Sequence, residues 1–185
     1  MQSQCKKVIL VPMTTSESDN ALLMREAFAA LQRHDLDACT ALMTPNFVIN
    51  IAGMPAARRG IPAWRGHART MLTAFPDVRL SLHDVVAAGD RVAVRMTLSG
   101  THQGEFMGVR ATGRRVEYES SEIYRIEDGL IAEEWICSDM MTLLSQLGEV
   151  STTKLAAMYF SGYRFWCGAA LGGLAGLAIA GRRRG

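Results

Sequence analysis

Two carboxyls occupy places where a proton could be moved in dry surroundings. From Val116 to Ile126 every second residue (Val116, Tyr118, Ser120, Glu122, Tyr124, Ile126) falls on one face of a strand. That face is mostly apolar, and Glu122 interrupts it. Further on, Ile131, Glu133, Trp135 and Cys137 share one parity, and Asp139 continues their row. A carboxyl among apolar walls is desolvated, which raises its pKa towards neutrality. It can then take a proton from an activated carbon and return it to oxygen. Glu122 and Asp139 are therefore the candidate catalytic groups. Each also has a plainer reading. Asp139 precedes a short helix and suits its N-cap, and Glu122 could pair with an arginine such as Arg95. Glu133 reads as a structural hydrogen-bond partner and Trp135 as a pocket wall.

Other chemistries lack their residues. His34, His67, His83 and His102 fall on a turn, a helix, a polar strand face and a loop. None shows H-E-x-x-H or similar spacing, so no metal is expected. His102, in Gly-Thr-His-Gln-Gly, reads either as a surface residue or as part of a pocket rim. No phosphate-binding glycine motif and no G-x-S-x-G elbow occurs, so no cofactor is expected. The cysteines at 5, 39, 137 and 167 form no C-x-x-C pair, and no signal-peptide core precedes them. They read as reduced thiols in a cytoplasmic protein.

The elements that must position these residues are legible in the patterning. Leu22, Leu23, Ala27, Ala30 and Leu31 place an apolar stripe on a helix over Asp19 to Gln32, capped by Ser18 or Asp19. Asp35 caps a second short helix through Leu42, which Pro45 stops. Phe47 to Ile51 reads as a strand, Gly53 to Gly60 as a loop, and Ile61 to Ala74 as a helix with Pro62 in its first turn. Val78, Leu80 and Leu82 alternate with polar residues, and Val92, Val94, Met96 and Leu98 do so after an Ala-Gly-Asp turn. Val116 to Ile126 and Leu130 to Ser138 flank Asp128-Gly129, a hairpin signal. Asp139 to Leu147 closes the series as a short helix. Helices followed by a run of antiparallel strands indicate an α+β domain.

Charge divides the chain unevenly. After Glu149 there are five bases and no acids, leaving 15 bases against 18 acids in residues 1–149. A mildly acidic body argues against nucleic-acid binding. We read residues 1–18 as an arm, 19–149 as the domain and 150–185 as a tail. Phe165 to Gly181 is an uncharged apolar run of 17 residues that ends in Arg182-Arg183-Arg184. Its length meets the lower limit of a membrane span, and Gly168, Gly172 and Gly176 recur along one helical face. Three readings stay open for 165–184: a span, a helix lying in the membrane interface, and a loosely packed tail.

Ala74-Phe75-Pro76-Asp77, then Ala88 to Arg95, Gly100 to Gly108, Thr112-Gly113-Arg114, Ile123-Tyr124-Arg125 with Asp128-Gly129, Glu133-Glu134-Trp135, Asp139 and Gln146-Leu147-Gly148 form an ordered set. It resembles the SnoaL-like polyketide cyclase and ester cyclase family. The resemblance implies a cone-shaped, strongly curved antiparallel sheet wrapped by helices around a hydrophobic cavity. It also implies cofactor-free intramolecular aldol ring closure driven by one pocket carboxyl. Where the family commonly has an acidic or polar residue after the tryptophan, this chain has Ile136, and where it often has a histidine after the first strand, Asn50. The expected substrate-contacting set is Trp135, Tyr118, Tyr124, Asn50, His102 and Phe106.

Two functions follow. One is a cofactor-free cyclase, isomerase or hydrolase acting on a small apolar carbonyl compound. The other is a non-catalytic module that binds a small apolar ligand or forms a homodimer through its sheet.

Overall fold

The computed structural model describes residues 18–151 and 153. Expectations for the arm up to residue 17 and for the apolar run 165–181 fall outside the described residues. No helix among those described is long and apolar enough to cross a membrane.

Among the described residues, four helices pack on a six-stranded sheet. In chain order the elements are α1 (Asp19–Gln32), α2 (Leu36–Ala41), β1 (Met43–Ile51), β2 (Arg58–Arg59), α3 (Ile61–Ala74), β3 (Arg79–Ala88), β4 (Arg91–Thr101), β5 (Arg115–Glu127), β6 (Leu130–Ser138) and α4 (Met140–Leu147). Strand order is β2-β1-β6-β5-β4-β3. The fold is the expected α+β arrangement of a curved sheet carrying helices, with one difference in strand direction. β1 runs parallel to β6, so the sheet is mixed rather than wholly antiparallel. Most of the domain separates these two strands in sequence, so no hairpin fixes their relative direction.

Local chemistry sets the boundaries. The Ser18 hydroxyl accepts from the Ala21 amide at the start of α1, and the Asp35 carboxylate accepts from the Ala38 amide at the start of α2. β1 starts earlier than expected, at Met43, and takes in Pro45. Its pairing with β6 is interrupted between Met43 and Val48, where a residue lacking an amide proton does no harm. Asp128 and Gly129 both have positive φ, as a two-residue hairpin turn requires.

The buried strand face is continuous. Val92, Val94 and Met96 of β4 and Val116, Tyr118, Tyr124 and Ile126 of β5 face the helices. They meet Met24 and Phe28 of α1 and Trp64 and Ala68 of α3. A second apolar cluster joins Phe75, Val78, Phe106, Val116 and Tyr118 to Leu143 and Leu147 of α4.

Two glutamines secure the open strand edges. Gln32, at the end of α1, donates to the Val78 carbonyl (3.0 Å) and accepts from the Leu80 amide (2.7 Å). Gln146 of α4 donates to the Glu117 carbonyl and accepts from the Glu117 amide, both at 2.8 Å. Each side-chain amide satisfies backbone groups that a neighbouring strand would otherwise pair.

The candidate active site

Two shifts of register give the sheet its curvature and decide what faces inward. In the β3–β4 ladder Leu82 pairs with Met96 but Asp84 pairs with Arg95, leaving His83 as an extra residue. In the β5–β6 ladder Ile126 pairs with Ile131 while Arg125 pairs with Glu133, leaving Ala132 extra. A bulge bends its strand and reverses the parity of the residues beyond it. Past Ala132, Glu134 lies opposite Tyr124, Ile136 opposite Glu122 and Ser138 opposite Ser120. These residues share the inner face. Glu133, Trp135 and Cys137 pair with Arg125, Ile123 and Ser121 on the other face.

A cavity of about 550 Å³ lies between the sheet and the helices and is lined from both apolar clusters. Its walls are mostly apolar, with methionine and aromatic side chains among them, including Met24, Phe28, Met96 and Phe106. Methionine adapts its shape, so such walls accommodate more than one rigid outline. Into this apolar space project Glu122, Tyr124 and Glu134.

Glu122 is 7% exposed and Glu134 6%, too little for water to solvate a free carboxylate. The Ser120 hydroxyl donates to Glu122 Oε1 (3.0 Å), and the Tyr124 hydroxyl donates to Glu122 Oε2 in a very short contact. The same phenol stands 3.3 Å from Glu134 Oε1, and Glu134 Oε2 has no hydrogen-bond partner among the described residues. Burial pushes the Glu122 carboxyl up to about 7 against the pull of its two hydroxyl donors. Burial, and then the neighbouring Glu122 charge, carry Glu134 well above the ordinary carboxyl range; Tyr124 and the Trp64 indole only partly oppose this. The phenol is itself pushed well up by burial and by both carboxyls, so it remains protonated. Around neutrality the arrangement is thus one carboxyl poised to ionise and one held as the acid, with a hydroxyl between them.

The expected site residues divide. Glu122, Tyr118, Tyr124 and Phe106 all line the cavity. Phe106 is set there by a small turn in which Met107 and Gly108 have positive φ and Phe106 bridges to Val109. Asp139 does not join them. Its carboxylate caps α4, accepting from the Thr142 amide (2.9 Å) and hydroxyl (2.6 Å). Those bonds, the hydroxyl's first, hold it below the usual carboxylate range, which suits a cap and not a proton donor. Trp135 is on the outer face under the Arg91 guanidinium, 4.8 Å from its ring centroid. Asn50 is beside it and donates to Glu133 Oε1 (3.0 Å) and the Glu134 carbonyl (3.1 Å). Both line an outer groove of about 580 Å³ and neither lines the inner cavity; Glu122 borders both spaces, and Glu134 lines the inner cavity. His102 is fully buried, against both surface and rim readings: it packs on Phe75 and its Nδ1 meets the Thr112 hydroxyl (3.0 Å) and amide (3.2 Å). Arg95 pairs with Asp84 and Glu119 on the outer face, leaving Glu122 without a cation among the described residues. Glu133 is the structural partner expected of it, accepting from Asn50 and Arg125.

Glu134, Trp64, His67 and Arg58 line the cavity without having been singled out by the sequence. Trp64, His67, Ala68 and Met71 follow helical spacing on one face of α3, a signal that was present. For Glu134 the pattern gave no guide, because Ile-Ala-Glu-Glu-Trp-Ile has no alternation to fix parity.

Comparison with known proteins adds a family match. The model described as SnoaL-like polyketide cyclase matches residues 21–147. Among solved structures, AclR of Streptomyces galilaeus, described as a candidate hydroxylase, is 35% identical with a TM-score of 0.65 and covers 73% of this chain and 99% of its own. TsrD of Streptomyces laurentii is 32% identical (TM-score 0.66; 73% and 98% covered). IdmH of Streptomyces antibioticus, described as a candidate polyketide cyclase, is 34% identical (TM-score 0.62; 71% and 99% covered). No curated protein sequence matches.

Proposed function

Because the chain belongs to the SnoaL-like polyketide cyclase family, we propose that it is a cofactor-free enzyme whose Glu122–Tyr124–Glu134 cluster moves protons on a small apolar carbonyl compound. The observation that carries this reading is the pair of buried carboxyls bridged by one phenol inside the cavity. Ionised Glu122 takes the proton from a carbon next to a carbonyl. The resulting enolate carbon attacks a second carbonyl of the same molecule, forming the ring C–C bond. The second carbonyl's π pair becomes an alkoxide, which takes its proton from the Glu134 carboxyl. Tyr124 then relays the proton held by Glu122 to Glu134, restoring both groups. No electron is gained or lost, so no redox partner is needed.

The test is solvent deuterium uptake at the α-carbon of α-tetralone in heavy water, followed by mass spectrometry on the full chain. Glu122→Gln should slow uptake by about 100-fold or more, the range of a lost general base. Asp139→Asn should leave it unchanged. Full uptake in Glu122→Gln, folded and still binding the ketone, would remove the proposal.

A further inference from the structure

The exposed members of the cavity lining mark its entrance: Ala52, Gly53 and Met54 after β1, Arg58 of β2, Thr70 of α3, and Met107. At this entrance are two polar groups that the proposed proton chemistry does not use. Among the described residues Arg58 has no carboxylate partner, although its guanidinium stands beside a protein body with more acids than bases. His67 is half-buried on the cavity side of α3 and has no hydrogen-bond partner among the described residues. Burial, and then the nearby Arg58 charge, hold its imidazole below its ordinary value, so near neutrality it is an uncharged ring with one N–H to donate. Arg58 is exposed, whereas Glu122 and Glu134 in the same lining are buried, so the cation lies at the mouth and the carboxyls at the floor.

We infer that Arg58 and His67 form a carboxylate-binding subsite at the cavity mouth, so that the preferred ligand is an apolar ring compound bearing a free acid group rather than its neutral ester. This inference rests on the proposed carbonyl chemistry and adds the substrate's second functional group and its orientation. A guanidinium presents a planar fork of donors that fits a carboxylate, and the adjacent imidazole N–H can serve one of its oxygens. The floor repels an anion once Glu122 ionises, whereas the mouth attracts one. The acid group consequently stays outward, and the carbonyl end enters towards Glu122 and Glu134.

The experiment compares binding of anthracene carboxylate and its methyl ester to the full chain by fluorescence titration at neutral pH. A partly exposed cation–anion contact should favour the acid by about fivefold. Arg58→Met should bring the acid's affinity to that of the ester and leave the ester's within about twofold; His67→Gln should fall between. Raising salt to about 0.5 M should likewise erase the preference in the unaltered protein, with no variant required. Equal binding of acid and ester, no binding of the acid, or a preference that survives Arg58→Met would each overturn the subsite. The proposed chemistry stands or falls separately: Glu122→Gln should keep the acid preference while losing deuterium uptake. Retained uptake with the preference intact would sink the chemistry alone.

Discussion

At the scale of single residues, the pH dependence of stability isolates Glu122. Its folded value is raised from 4.5 to about 7. For a raised carboxyl, the stability it contributes is full below the unfolded value and is lost as pH rises through the folded one. The window is therefore about pH 4.5 to 7, and the loss is constant above it. Glutamine cannot ionise, so Glu122→Gln should lose this part of the decline and keep the part that the raised Glu134 carboxyl contributes. Its stability relative to the unaltered protein should rise by on the order of 3 kcal/mol between those two pH values, read from urea melts. A flat difference would mean that Glu122 is not buried as a carboxyl. Asp77 works in the opposite sense. The Thr101 amide (2.7 Å) and hydroxyl (2.8 Å) both donate to it and hold it below the usual range. What it contributes is present above its unfolded value and disappears as acid protonates it.

At the scale of elements, the sequence carried most of the fold and part of the site. α1, α3 and β6 begin and end where their patterns place them, because capping residues, Pro62 and the Asp128-Gly129 turn are local signals that tertiary contacts did not override. The β5 face was legible because its alternation is unbroken from Val116 to Ile126. Parity along β6 was not, since the Ala132 bulge is a property of two strands in register and leaves no mark in either alone. That bulge turns Trp135 outward and Glu134 inward. The edge clamps were equally hidden, as a glutamine at a helix end looks like any solvated residue. Gln146→Ala should cost about 1–2 kcal/mol through two lost hydrogen bonds, measured by chemical denaturation. Gly104 makes a similar demand on packing: a methyl group there would meet the Thr73 carbonyl of α3.

At the scale of the whole molecule, the helices close one sheet face and leave the other open. Val86 (61% exposed) and Ile123 (48%) stand on the open face, with Cys137 beside them. The two described cysteines therefore report on opposite sides. Cys39 is buried, with its thiol donating to the Ala27 carbonyl (3.7 Å), and burial followed by the Asp35 charge pushes it up to about 11. Cys137 is exposed. Iodoacetamide with site-resolved mass spectrometry should label Cys137 at least ~100-fold faster than Cys39 under native conditions, and the two should converge in denaturant. Equal native rates would mean that the helical layer opens readily.

The bulge at Ala132 has a consequence for how this protein should be aligned and engineered. It sets position 136 directly across the ladder from Glu122, and both project into the same space. The resemblance leads one to look for an acid immediately after Trp135. Here that place holds isoleucine, and its cross-strand partner carries the carboxyl. A carboxyl carried at either of these two positions, on neighbouring strands, would reach the same part of the cavity. A designer wishing to move the buried carboxyl therefore has a ready pair of addresses on facing rungs, positions 122 and 136.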